Sequence, residues 1–334
     1  MKASVLITTY NQEKVVGQAL EGALSQVTDF DFEIVVGEDH STDSTRSVIC
    51  EYRDRFGDRI RPLFRGQNLG LMRNLPESFL ACRGEYVACL DGDDYWTNPH
   101  KLQRQVEFLD AHPDYSICFH NALMVWDDGS HDPTLHSPPG RKPTYSLGEL
   151  LTHDFISTSA AVVRNHLVRQ FPSWYGTLPV PDWPFFVLHA MHGKIGYLDA
   201  DWAVYRQHPA GMYCRLAEEK RMEQNVGVVR IFRNVLGPEW RGPLTQAIHS
   251  RCLNLALYYQ QHGERAKARQ FARMAMGERP PGLLPSCRTA AKVFAYMHVP
   301  AIPRLAKRYR AARKGKTRSK PAHPDHGGQA VTER

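Results

Sequence analysis

The stretch CLDGDDYWTNP, Cys89 to Pro99, places three carboxylates within four positions directly after EYVA, a run with the composition of a buried strand. Like charges this close repel, and each loses solvation near a core. Asp91, Asp93 and Asp94 are therefore costly together unless a cation or hydrogen-bond donors offset them. Read alone, DGDD serves equally well as an acidic turn in which Gly92 and Asp93 supply left-handed or side-chain-bonded backbone. The surrounding sequence has to separate these readings.

Working outward, the first hundred residues alternate strand-like and helix-like segments. ASVLITT and FEIVVGE are β-rich runs, and KVVGQALEGALSQ has helical spacing between them. STDSTRSVICEYRDRF opens with Ser/Thr/Asp cap residues, and RIRPLFR, a helix near Leu71 to Ala81, and EYVACL follow. Such alternation with short connections predicts a mainly parallel sheet covered by helices, with ligands gathering at the carboxyl ends of the strands. Polar groups sit at each of those ends: TTYN (Thr8 to Asn11), EDHSTD (Glu38 to Asp43), GQNLG around Asn68, and DGDD. A cap or a turn explains each one singly, but hardly all of them on one edge.

Neither G-x-G-x-x-G nor G-x-x-x-x-G-K-[ST] occurs, so a glycine-rich amide cradle does not hold phosphate here. An acidic edge points instead to a divalent cation, Mg²⁺ or Mn²⁺, bridging carboxylates to phosphate oxygens.

The combination TTYN, EDHSTD, NLG and LDGDDYW, continued by DWPFF and YRQHPAGMY, resembles family 2 glycosyltransferases of the GT-A fold over about residues 3–215. The resemblance implies an α/β fold, a Rossmann-like mixed sheet flanked by helices, here with a C-terminal helical extension. It implies a nucleotide-sugar pocket at Thr8, Tyr10, Asn11, Glu38, Asp39, Asn68 and Asp91, with Thr8 and Tyr10 against the base and Asp39 accepting from its ring N–H. Asp91 and Asp93 are the formal D-x-D pair, and the metal is expected on Asp93 or Asp94, with His208 completing its shell. EDHSTD departs from the commoner DDGSTD: Glu38 stands at an Asp position and His40 at a Gly position. His40 either adopts a turn geometry that Gly favours or projects toward the ligand.

TLPVPDWPFFVLHAM puts Asp182 in a Pro-bracketed turn before an aromatic-rich helix expected to start near Phe185, where related transferases carry their catalytic base. A helix cap is the plain alternative, and Asp154, Asp199 and Asp201 are the fallback bases. Arg206 is expected to stabilise the departing diphosphate. The implied reaction moves a sugar from a nucleotide-diphosphate donor, a UDP-sugar by expectation, to a saccharide or lipid-linked saccharide hydroxyl with inversion, in surface polysaccharide or glycolipid assembly. The alternatives are a sugar-phosphate nucleotidyltransferase, whose glycine-rich, Arg-containing N-terminal loop TTYNQEKVVG does not match, and a non-catalytic helical scaffold, which the intact carboxylates oppose.

The expected organisation is a nucleotide-sugar-binding half at 1–110, an acceptor-binding half at 111–215, a helical extension at 216–313 and a basic, disordered tail at 314–334. LNLALYYQQHGERAKARQFARMAM reads as two helices joined near His262-Gly263, resembling one tetratricopeptide-like hairpin. The net charge of +7 is a C-terminal property, because residues 1–278 carry 29 basic against 33 acidic side chains. Nine Lys/Arg side chains from Arg304 to Lys320 read either as a basic segment lying on an anionic membrane surface or as a merely solvated end after a packed helix; their charge favours the membrane, and nucleic acid is disfavoured because no interleaved base-stacking aromatics accompany them beyond Tyr309. Seven scattered cysteines without a C-x-x-C pair argue against disulfides and zinc. Without a signal-peptide core or a stretch of ~20 apolar residues, the expected location is the cytoplasm, peripheral on the inner face of the membrane.

Overall fold

The computed structural model of the chain describes residues 1–209, 211 and 214–278. These form strands β1 (Ala3–Thr9), β2 (Phe32–Glu38), β3 (Ile60–Phe64), β4 (Tyr86–Asp91), β5 (Tyr95–Trp96), β6 (Tyr115–Trp126), β7 (Thr134–Leu135), β8 (Thr144–Tyr145), β9 (Ala161–Arg164) and β10 (Lys194–Gln207). The helices are α1 (Val16–Leu24), α2 (Thr45–Phe56), α3 (Leu71–Leu80), α4 (Lys101–Ala111), α5 (Leu147–Thr152), α6 (Asp182–Ala190), α7 (Glu218–Val235), α8 (Arg241–Gln261) and α9 (Arg265–Gly277).

All the strands join one sheet, in the order β3-β2-β1-β4-β9-β6-β10-β5, with β7 beside β6 and β8 beside β10. The first four strands along that path are parallel, as the alternation predicts, and β1 and β2 are buried at every residue. Burial on both faces is why they read as continuous apolar runs. Between β4 and β6 the pattern reverses: β9 runs antiparallel to both, so the sheet is mixed. Val5, Ile7 and Ile34 face Leu20, Leu102 and Val106 on one side of the sheet. Beyond the sheet's other side, Phe79 of α3 packs edge-on against Phe185 of α6, with ring centroids 5.1 Å apart.

Parallel pairing sets the strand ends level. Thr8 lies beside both Gly37 and Asp91, and Thr9 beside Glu38. From the far side of the sheet, β10 runs parallel to β6 and brings Arg206 and Gln207 opposite Val125 and Trp126.

The chain divides into two compact units, Met1–Arg251 and one that begins at Cys252. Helix α7 belongs to the first, where Phe232 packs edge-on against Trp183 with centroids 5.5 Å apart. In the second, the turn expected at His262-Gly263 joins α8 to α9, with Gly263 at φ +83° and Tyr259 stacked on Phe271 at 5.7 Å. No described helix is long and apolar enough to cross a membrane. The basic segment from Arg304 to Lys320 and the tail expected from residue 314 lie outside the described residues, as do Ala210, Met212 and Tyr213 of YRQHPAGMY.

Candidate active site

The ends of β1 and β2 turn sharply through two left-handed residues, Asn11 at φ +53° and His40 at φ +60°. His40 therefore does adopt the geometry that glycine favours, and its exposed ring rests Nδ1 at 3.3 Å from the Arg65 carbonyl. Asn11 couples the two loops: its N–H donates to Ser41 Oγ at 3.0 Å and its Oδ1 accepts from the Thr42 N–H at 2.8 Å. Tyr10 projects from the same turn and is 44% exposed.

Behind this edge the acidic groups are engaged by protein donors. Asp39, buried, accepts from the Leu69 N–H at 2.7 Å through Oδ1 and from the Gly70 N–H at 2.9 Å through Oδ2. Asn68 adds Nδ2 to the Asp39 carbonyl at 3.0 Å, so the NLG turn wraps this residue. Glu38, also buried, accepts from the Ser41 N–H and pairs with the Arg46 guanidinium.

The carboxylates that follow β4 are in a different state. Thr8 Oγ1 lies 3.4 Å from Asp91 Oδ1, and the Gly92 N–H donates to the Thr8 carbonyl at 2.9 Å. A β-carbon on Gly92 would stand 2.4 Å from Gln12 Oε1 and 2.8 Å from Thr9 Cβ, so the turn closes only with glycine there. Asp91 remains partly open to solvent yet is densely surrounded. Burial first, then the charges of Asp93 and Asp182, push its carboxyl up to about 8. Asp94 is raised well above the carboxylate range by burial and by Asp93 and Asp91, and it accepts from Ser159 Oγ and, at 2.9 Å, from the Arg206 N–H. Asp93 points toward β10, where His208 Nε2 lies 2.9 Å from its Oδ2. That bond, ahead of the charges of Asp93 and Asp127, raises the His208 imidazole above its ordinary range.

Asp182 comes from a separate element, α6. It is the first residue of α6, not a turn residue ahead of a helix starting near Phe185: Pro181 already has helical backbone, and its carbonyl accepts from the Phe185 N–H at 3.2 Å. Asp182 Oδ1 accepts from the Trp183 N–H at 2.9 Å, and burial raises its carboxyl. Asp154, after α5, is held well above its usual range by burial and by the charge of Asp182.

The site thus brings together Thr8, Asp91, Asp93, Asp94, Arg206 and His208, with Asp182 close enough for its charge to act on Asp91. Glu38 and Asn68 bond loop groups and not one another. Asp199 and Asp201, the fallback bases, are exposed on β10. Arg206 spends its donors on the protein: Nε to the Asp93 carbonyl at 2.8 Å, Nη1 to Asp127 Oδ1 at 2.7 Å, and Nη2 to Gln18 Oε1. Ser159, Gln18 and Asp127 escape a reading of the sequence, because each meets the site only through contacts spanning 65 or more residues.

A divalent cation fits this corner chemically. The Asp93 carboxylate and the His208 imidazole meet there, and burial, followed by the charges of neighbouring carboxylates, raises Asp91 and Asp94 beside them. Among the described residues no three such side chains already surround one point.

The family model for glycosyl transferase family 2 matches residues 4–170. An uncharacterized Mycobacterium tuberculosis protein (strain H37Rv) is 37% identical over 222 residues, covering 65% of this chain and 62% of that relative's length. Among solved structures, Staphylococcus aureus TarS 1–349 in complex with UDP-GlcNAc superposes with a TM-score of 0.54 at 19% identity, over 82% of this chain and 90% of that 1–349 chain. The mannosyltransferase PcManGT from Pyrobaculum calidifontis, in complex with GDP-Man and Mn²⁺, gives 0.53 at 17% identity, over 91% of this chain and 87% of PcManGT.

Proposed function

The chain belongs to glycosyl transferase family 2, and from that premise we propose that it transfers a sugar from a UDP-sugar to an acceptor hydroxyl with inversion, in the assembly of a cell-surface polysaccharide or glycolipid. The observation that carries this reading is that Asp182, buried at the start of α6, lies near enough to the β4 carboxylates for its charge to raise Asp91, beside the corner where His208 meets Asp93. A base on one side of a donor site and a cation corner on the other is what a single in-line displacement requires.

In this reading Tyr10 offers its exposed ring to the base, beside Thr8 and Asn11, while Glu38, Asp39 and Asn68 hold the loops that shape the pocket. Asp91 receives the ribose and donor sugar. Asp93 and His208 are the residues that would hold Mg²⁺ or Mn²⁺, with Asp94 bracing the turn through Ser159 and the Arg206 amide. A divalent cation there would bridge to the donor diphosphate and offset charge on the leaving group. Asp182 takes the proton of the acceptor hydroxyl, and its raised affinity for protons brings it nearer to neutrality, where a general base works best. The 1–110 and 111–215 halves divide as donor and acceptor regions, and the acceptor is a saccharide or lipid-linked saccharide. The bound nucleotide-sugars of TarS and PcManGT support a nucleotide-diphosphate donor, and the Mn²⁺ of PcManGT supports the cation.

The test is a panel of UDP- and GDP-sugars scored by release of the nucleotide diphosphate, alongside calorimetric titration of UDP and GDP with and without Mn²⁺. Release from one UDP-sugar and Mn²⁺-enhanced UDP binding are expected. Pyrophosphate formation from a sugar phosphate would indicate a nucleotidyltransferase, and no nucleotide binding would indicate a scaffold.

A further inference from the structure

Arg206 has a side chain only 15% exposed, wedged beside the carboxylates that would hold a cation. A guanidinium taken that far from water needs its donors satisfied and its charge matched. Three separate elements supply the partners: Gln18 from α1, the Asp93 carbonyl from the turn after β4, and Asp127 just past β6. Only Asp127 brings charge. It is held in place by the sheet itself, because its N–H donates to the Gln207 carbonyl at 3.1 Å and extends the β6–β10 pairing by one residue. Its carboxylate also faces His208 electrostatically.

This arrangement raises a difficulty for the cation corner. The bond from Nε to the Asp93 carbonyl fixes the turn that carries the Asp93 carboxylate, yet it sets a permanent positive charge beside the place a divalent cation would take. An uncompensated guanidinium there would repel the very ion that Asp93 and His208 attract. We propose that Asp127 is a positioning residue for this corner: by carrying the countercharge of Arg206, it lets Arg206 clamp the Asp93 turn without driving a divalent cation away. Gln18 completes the clamp without contributing charge. The inference rests on the reading of Asp93 and His208 as the cation corner, and it adds that the affinity of the corner is set by a carboxylate that touches neither nucleotide nor metal.

Asp127→Asn tests it, since the side chain is 36% exposed and Asn is isosteric. UDP is titrated calorimetrically into the wild type and the variant, alone and with Mn²⁺, with thermal melting as a control. Partners of this outer kind typically change metal affinity 10–100-fold, so Asp127→Asn is expected to lose about 10-fold or more of the Mn²⁺-dependent gain in UDP affinity. UDP binding without metal should stay at the wild-type value. Asp127→Glu, which keeps the charge, should recover most of the gain, which a merely structural role would not predict. Equal Mn²⁺–UDP affinity in wild type and Asp127→Asn would overturn the proposal. Tighter binding by the variant would overturn it too, because Asp127 would then be competing with the diphosphate for Arg206. A wild type that binds neither UDP nor GDP would instead bring down the transferase reading on which the proposal stands.

Discussion

At the ends of β2 and β4 the chain sets acidic side chains of the same kind just past buried strands, and the two groups behave differently. Asp39 and Glu38 have their oxygens occupied by Leu69, Gly70, Ser41 and Arg46, so their charge is consumed in holding loops. Asp91 and Asp94 are raised by burial and then by neighbouring carboxylates, even though Asp94 accepts from Ser159 and the Arg206 N–H, and burial raises Asp182 as well. A carboxylate saturated by backbone N–H groups is architecture, whereas a set of carboxylates that destabilise one another is poised for a cation or a proton. On the proposed transferase reading, chemistry falls to the β4 and α6 side of the site and scaffolding to the β2 side.

The sharpest way to break that contrast is at Asp182. Asp182→Asn keeps the bond to the Trp183 N–H but cannot accept a proton as a carboxylate does. The single-turnover rate should fall ~10²-fold or more, with UDP affinity and melting temperature nearly unchanged. A near-wild-type rate would remove Asp182 from the mechanism and make Asp154, its neighbour in charge, the next candidate. The next largest effect is expected at Asp93. Asp93→Asn should cost about 10-fold or more in Mn²⁺-dependent UDP affinity, read by calorimetry, and leave metal-free UDP binding alone. Unchanged Mn²⁺ dependence would place the cation elsewhere and undo half of the comparison.

Much of this layout is legible in the sequence. Strand–helix alternation exposes the parallel half of the sheet, and TTYN, EDHSTD and DGDD fall at strand ends that pairing then sets level, as Thr8 beside Asp91 demonstrates. Local pattern does not tell a consumed carboxylate from a poised one. That depends on whether the Leu69 and Gly70 N–H groups, about thirty residues on, fold back onto Asp39, and on Ser159, 65 residues from Asp94. Ser159 lies in the single helical turn Thr158–Ala160 just ahead of the reversed four-residue strand β9, and both are too short to show a period. The start of α6 is hidden for another reason. Pro181 just ahead of Asp182 reads as a turn residue, but proline is tolerated where a helix begins, since no intrahelical partner awaits its missing N–H.

On the scaffolding side, Asp39→Asn should weaken the fold and spare the chemistry. Its carboxylate receives two charge-assisted bonds from backbone N–H groups in a buried place. An amide can accept only one of them well and turns an N–H₂ toward the other donor. A loss of about 1–3 kcal/mol in denaturant unfolding is expected, with the single-turnover rate at saturating donor unchanged. A rate loss without a stability loss would move Asp39 across the divide.

The smallest effect concerns a buried amine beside Trp96, whose burial opposes charge as it does at the end of β4. Lys101 has no exposed surface; its Nζ donates to Gln105 Oε1 at 2.7 Å and sits 3.9 Å from the centroid of the Trp96 ring, two residues past Asp94. Burial pulls the amine down from 10.5 to about 7, against a weaker upward pull from the Cys89 and Cys118 thiols. For a depressed pKa the sign is fixed: the folded state binds this proton less well than the unfolded chain does. Stability is therefore full above 10.5 and is lost as pH falls through about 7. Lys101→Met removes that loss but leaves Gln105 Oε1 without its donor, which costs about 1 kcal/mol at every pH. The two contributions oppose, so the variant should melt a few degrees higher than wild type at pH 6 and no higher, or slightly lower, near pH 10, with the curves crossing between. A variant less stable than wild type at both pH values would mean that the fold holds the Lys101 amine charged and that burial does not depress it. In that case burial in this part of the molecule would not penalise charge, and the reading of Asp91 and Asp94 as carboxylates driven toward the protonated form, which sets them apart from Asp39 and Glu38, would fail at its base.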